Sequence, residues 1–236
     1  MKLKHITFTG IDAQTDLHRL RGIQQQFPLA EFGVLTSYHW YENGNRYIDP
    51  LFLRCLWDQK LNLSLHICGS AAHDAAIGLW NAIDRHLNFN LRLFKRVQLN
   101  IANRDDNPRP LASTPDDYTE LIIQQKDIHN ASLFYRTAQE LRNVSMLLDA
   151  SGGQGIDTPI QVPSKPIMYF PHPKVGYAGG INENNVAEKL SYLMENDEVG
   201  DFWIDMESGV RTDDWFDLDK VRRVLEICEP IINKYK

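Results

Sequence analysis

Two short apolar runs near the C-terminal end each stop at a glycine break and then turn helical: VGYAGGINENNV at residues 175–186 and DFWIDMESGV at residues 201–210. A strand that feeds a helix through such a break, twice in succession, describes neighbouring βα units of a parallel sheet. In a closed (β/α)8 barrel, the loops after the seventh and eighth strands present backbone N–H groups to an anion. The pair therefore predicts a barrel whose partner is a small phosphorylated metabolite.

The remainder of the chain supports that count. Eight apolar runs rich in Ile, Val, Leu and aromatics occupy residues 5–11, 31–37, 63–69, 96–102, 120–125, 144–151, 175–181 and 201–209. Amphipathic segments of helical length lie between them at residues 13–27, 49–60, 71–87, 129–142, 184–196 and 218–234. Strands alternating with helices imply an α/β class and a parallel sheet, here a single (β/α)8 TIM barrel over residues 1–236. Two connections break the pattern. Residues 103–119 are polar and proline-broken, and residues 156–174 carry Pro159, Pro163, Pro166, Pro171 and Pro173. Proline removes a helix donor and clashes with the preceding turn, so the fourth and sixth helices are expected to be reduced or replaced by loops. An open α/β sheet with fewer strands is the alternative.

A net charge of −6 lacks the basic stripe of a nucleic-acid binder, and no apolar run approaches the length of a membrane span. Neither nucleic acid nor membrane is an expected partner. Cys55, Cys68 and Cys228 are odd in number and show no Cys-x-x-Cys spacing, which points to a reducing cytoplasmic setting and no metal. No cofactor motif stands out, and the oligomeric state is left open.

Side chains at the C-terminal ends of barrel strands converge on one mouth. Those ends supply Thr9 and Asp12, Ser37, His66 and Cys68, Gln98 and Asn100, Gln124 and Gln125, Asp149, and Asp205 with Glu207. Asp149 closes an apolar strand at the edge of a solvent-filled cavity, an environment that can raise a carboxyl into the range of a general acid. Each candidate has a plainer reading: Asp149 as a helix cap or turn residue, His66 as a hydrogen-bonded core histidine, Cys68 as a small buried hydrophobe. Asp105, Asp106, Asp213 and Asp214 read as solvated loop charges. Gly152, Gly153, Gly179, Gly180 and the Ser208-Gly209 pair fall in three adjacent loops, where backbone N–H groups can approach a phosphate without a Cβ in the way.

The order of these motifs resembles that of phosphoribosylanthranilate isomerase, the (β/α)8 enzyme of tryptophan biosynthesis. HITFTGID is similar to the family's Lys-Ile-Cys-Gly first strand, EFGVLTS with NRYIDP to its second strand and the Ser-x-Arg-Tyr segment beyond, and RVQLN to Val-Gln-Leu-His. LLDASGGQG is similar to the Leu-Asp segment with its Gly-Gly-x-Gly, YAGGINENNV to Ala-Gly-Gly-Leu-x-x-Glu-Asn-Val, and IDMESGVR to Val-Asp-Val-Ser-Ser-Gly-Val-Glu. The resemblance implies Asp149 as catalytic acid and Arg46 as a substrate-contacting arginine, and the strand-end positions add Thr9, His66, Gln98 and Asp205 as substrate-binding candidates. The family's cysteine base becomes Thr9, whose hydroxyl is far too weak an acid to serve as a thiolate does. Asp12 is the expected substitute base. Glu207-Ser208 replaces Ser-Ser, with Arg211 expected to offset the added charge, and Asn100 replaces histidine. The implied function is an aldose–ketose type isomerase acting on a small phosphorylated sugar derivative. The alternative is a non-catalytic ligand-binding or regulatory barrel; a Schiff-base lyase is disfavoured because no lysine sits at a strand end.

Overall fold

The structure is a computed structural model that describes residues 2–39, 44–101, 111–127, 132–162, 174–196 and 200–235. Eight parallel strands close a barrel in chain order: β1 Lys2–Thr9, β2 Ala30–Thr36, β3 Leu63–Cys68, β4 Arg96–Asn100, β5 Glu120–Gln125, β6 Val144–Asp149, β7 Val175–Ala178 and β8 Asp201–Met206. The ring closes through β8 against β1, where Ile6 pairs with Ile204 and Phe8 with Met206. Helices α1 Leu17–Gln26, α2 Pro50–Asp58, α3 Gly69–Ala76, α4 Trp80–Leu87, α5 Ser132–Glu140, α6 Val186–Asn196 and α7 Leu218–Lys234 surround it. Beyond the eighth strand, β9 Arg211–Thr212 and β10 Trp215–Phe216 make a small antiparallel ribbon.

The helix starts follow capping chemistry. Asp16 accepts hydrogen bonds from the N–H groups of His18 and Arg19, so α1 begins four residues later than its amphipathic pattern does. Asp49 accepts from Phe52 N ahead of Pro50, and Asp217 accepts from Asp219 N and Lys220 N. One expected helix is two. The segment at residues 71–87 breaks at Gly78, whose φ of +84° is left-handed, and α4 restarts at Trp80. Among the described residues no helix follows β4 or β6; residues 102–110 and 163–173 of those connections lie outside the described set, with Asp105 and Asp106 and four of the five prolines. The first part of the expected 129–142 helix, residues 129–131, lies outside it too. No helix among the described residues is long and apolar enough to cross a membrane.

Two cores result from strand alternation. Outward-facing residues such as Phe8, Phe32, Leu65, Val97, Leu121 and Phe202 pack with the helices. The barrel interior is different. Its apolar filling is a small cluster of Ile122, Leu147 and Trp203, and its lower part is ionic. Arg96 Nη1 lies 2.5 Å from Glu31 Oε1, its Nε lies 3.3 Å from Glu120 Oε2, and its guanidinium sits 4.5 Å from the Trp203 ring centroid. Thr7 donates to Glu31 at 2.9 Å, while Ser145 and Lys174 donate to Glu120 at 2.6 and 3.2 Å. Burial alone would raise both carboxyls, but the opposing charge of Arg96 holds them below their usual range. Gly176 makes room for the indole: a Cβ there would stand 2.2 Å from Trp203 Cε2.

Removing Arg96 leaves two carboxylates buried without their shared cation. Arg96→Met should therefore lower stability by about 3–5 kcal/mol in urea denaturation; a loss below about 1 kcal/mol would show that the cluster contributes little.

Candidate active site

The C-terminal ends of the strands surround a cavity of about 1000 Å³. The strand ends bring Thr9, His66, Gln98, Gln124, Asp149 and Asp205 to it, and the loops add Arg46, Tyr47, Lys126, Gly152, Gly153, Gly179, Gly180, Glu207 and Ser208. Eleven of the thirteen residues expected at the site thus share one space.

Asp12 and Gly209 do not. The chain leaves β1 through Gly10 at φ +91°, which carries Asp12 away from the mouth. Asp12 is 1% exposed, accepts from Phe216 N at 2.6 Å and pairs with Arg211 at 3.4 Å, so it fastens the β9–β10 ribbon and is not positioned as a base. Gly209 is packed inward: a Cβ on it would meet the Ile181 carbonyl at 2.1 Å. Arg211 acts on Glu207 through its charge, as expected, but its hydrogen bonds are made elsewhere. Its guanidinium donates to Gly10 O and Asp214 O, both at 2.5 Å, as well as pairing with Asp12. Asp214 is no idle loop charge either, because it holds Arg46 Nε at 2.9 Å.

Two strand-end carboxyl groups face the cavity. Asp149 ends β6 and accepts four hydrogen bonds: Gln124 Nε2 at 2.8 Å, Ser151 N at 3.1 Å, Ser151 Oγ at 2.6 Å and Gly153 N at 2.6 Å. Its orientation is thereby fixed from below and from its own loop. Asp205, on β8, accepts from Thr9 Oγ1 at 2.8 Å. Burial pushes Asp205 up to about 7, with Glu207, Glu31 and Asp149 adding to the rise and Thr9 opposing it. The role of Asp205 as the shifted acid was not visible in the motif alone, because it depends on burial and on charges from three other strands or loops. Gly33 allows the Thr9 contact, since a Cβ there would stand 2.4 Å from Thr9 Oγ1.

His66 is a buried histidine of the barrel wall, 3.1 Å from Ser64 Oγ and lowered to about 4 by burial, so it is neutral at physiological pH. Cys68 is not merely a small hydrophobe. Asn100 Nδ2 lies 3.2 Å from its sulfur, and burial lifts the thiol to about 11, which keeps it protonated. Gln98 donates to Asn100 Oδ1 at 2.9 Å, and its own buried Oε1 has no partner among the described residues. Arg46 reaches over the mouth to Glu207 at 2.7 Å. Among the described residues no three His, Cys, Asp or Glu side chains converge as a metal site would.

The fold is that of a TIM barrel. In fold the chain is similar to a solved N-(5′-phosphoribosyl)anthranilate isomerase from Pyrococcus furiosus, at TM-score 0.55 and 14% identity, covering 96% of this chain and 98% of that one. It is similar also to TrpF from Jonesia denitrificans, at TM-score 0.53 and 14% identity over 98% and 99% of the two chains. A phosphoribosyl anthranilate isomerase from Thermococcus kodakaraensis gives TM-score 0.52 and 11% identity over 95% and 98%. No protein-family model and no curated protein matches the sequence.

An acid raised from 3.8 to about 7 keeps its proton in the folded chain across a window where the unfolded chain has released it. Its stabilising contribution is complete below pH 4 and is lost as pH rises from about 4 to 7. Asp205→Asn should therefore gain on the wild type across that window by a few kcal/mol, at about 1.4 kcal/mol per unit, and level off above it. Denaturation midpoints of both proteins between pH 4 and 8 check this; a flat difference would place the titration elsewhere.

Proposed function

We propose that this barrel is an isomerase that moves a proton within a small phosphorylated sugar derivative, with Asp205 as base and Asp149 as acid. The observation that carries the reading is Asp205 itself: a buried carboxyl near 7, held by Thr9 and sharing a cavity with a second carboxylate. A group with that affinity for protons is half ionised at neutral pH, so it can take a proton from a sugar carbon and return it to the neighbouring one. Asp149 faces the same space and would serve the ring or carbonyl oxygen. Thr9 takes the place of the cysteine of the resembling family by positioning this base. Gln98, His66 and Arg46 are the groups proposed to bind sugar hydroxyls and the distal end of the substrate.

The phosphate is assigned to the loops after β6, β7 and β8, through Gly152, Gly153, Gly179, Gly180 and Ser208. Two features support the placement. The N–H groups of Gly180 and Ile181 find no acceptor among the described residues, and Lys126, which forms no ion pair among them, runs alongside Gly152. A second reading, a ligand-binding barrel without turnover, is favoured by the engagement of Arg46 with Glu207 and Asp214.

Deuterium uptake from heavy water at the sugar carbon next to the carbonyl, followed by NMR with ribose 5-phosphate, separates the two readings. Exchange should fall by about 10²–10⁴-fold in Asp205→Asn. In the wild type kcat/KM should rise with pH to a plateau above about 7, and Thr9→Val should move that limb upward, because the lost hydrogen bond favoured the ionised form. Binding with no exchange would leave the ligand-binding barrel; exchange indifferent to Asp205→Asn would remove Asp205 from the reaction. Separately, inorganic phosphate should raise the melting temperature of the wild type and do so less in Lys126→Ala. Equal shifts would move the anion away from Lys126.

A further inference from the structure

Charge in the cavity is distributed unevenly. Glu207, directly after β8, turns its carboxylate onto Arg46 Nη1 at 2.7 Å, while Asp214 takes the Nε edge of the same guanidinium at 2.9 Å. Arg46 and Glu207 both line the cavity, each with about a third of its side chain exposed. Burial raises Tyr47, Cys68 and Asp205, and the charge of Glu207 adds a smaller rise to each. On this side of the mouth the arginine is thus occupied from within, and the neighbouring Tyr47, Cys68 and Asn100 are uncharged groups bonded to one another.

We infer that Glu207 is a specificity-determining residue: by filling the Nη1 position of Arg46 it excludes ligands with a carboxylate at that end of the cavity and favours an uncharged, hydroxyl-bearing end. An incoming carboxylate would have to displace Glu207 from Arg46 and leave two anions beside Asp205. A hydroxyl or amide faces no such exchange, since it brings no charge to set against Glu207 and can enter while the pair stays closed. The inference rests on the preceding reading only in taking this cavity as the ligand site; it requires neither turnover nor phosphate.

Benzoate and benzamide differ in charge at nearly constant shape and serve as probes in NMR-detected titrations. Glu207→Ser frees the Nη1 face while Asp214 still holds Nε. Benzoate should then bind roughly tenfold more tightly than to the wild type, the scale of one hydrogen bond to a charged group, with benzamide unchanged. The double variant Glu207→Ser/Arg46→Met should lose the gain. Equal benzoate affinity in wild type and Glu207→Ser, or a gain that survives the loss of Arg46, would overturn the assignment. Matching thermal melts of wild type and Glu207→Ser exclude misfolding as the cause of either result, and a barrel that proves non-catalytic leaves the titrations valid.

Discussion

One buried cation organises the interior of this barrel. Arg96 projects from β4 between Glu31 on β2 and Glu120 on β5, so three strands that are not all neighbours share a single charge. Barrel interiors are usually filled by branched aliphatic layers. Here a guanidinium capped by Trp203 does the filling, and Ser145, Thr7 and Lys174 complete the hydrogen bonds of the two acids. Such a cluster is a weak source of stability relative to a hydrophobic core but a strong discriminator of register. A shift of one residue in β4 would turn Arg96 out into the helical layer and bring Val97 to face two carboxylates.

The same cluster sets the electrical conditions of the mouth. Glu31 adds to the rise of Asp205, whereas at His66 its upward pull outweighs the downward push of Arg96, so the lower layer supports the shifted acid and opposes, without reversing, the burial that keeps the histidine neutral. Burial is the larger effect in each case. The upper layer is therefore poised by desolvation and trimmed by charges from below, while Glu207 and Arg46 adjust it from the solvent side. Function and framework meet within two residues on the same strands: Arg96 and Gln98, Trp203 and Asp205.

The barrel itself was readable because strands buried on both faces produce continuous apolar runs, and the order of those runs fixes a parallel topology. Thr9, His66, Gln98, Asp149 and Asp205 could be placed at the mouth because strand ends in such a barrel converge. Asp12 could not be placed, because sequence gives its distance from Thr9 and not the direction taken after the left-handed Gly10. Arg96, Glu31 and Glu120 went unnoticed for a related reason. A lone charge at the start of an apolar run reads as a solvated strand edge, and their mutual contact spans 24 and 65 residues of chain. Asp214 and Arg46 are 168 residues apart, so their pairing too belongs to the closed structure.

The hydrogen bond from Thr9 to Asp205 joins residues separated by 196 positions, across the seam where the last strand meets the first. Until β8 docks, Asp205 is a hydrated carboxyl of ordinary acidity on an unpaired strand. The chain therefore acquires this shifted carboxylic acid only at ring closure, the strand pairing of highest sequence separation in the barrel. A nascent chain emerging from synthesis carries every other strand of the barrel before this proton-binding group exists, which ties its appearance to completion of the ring.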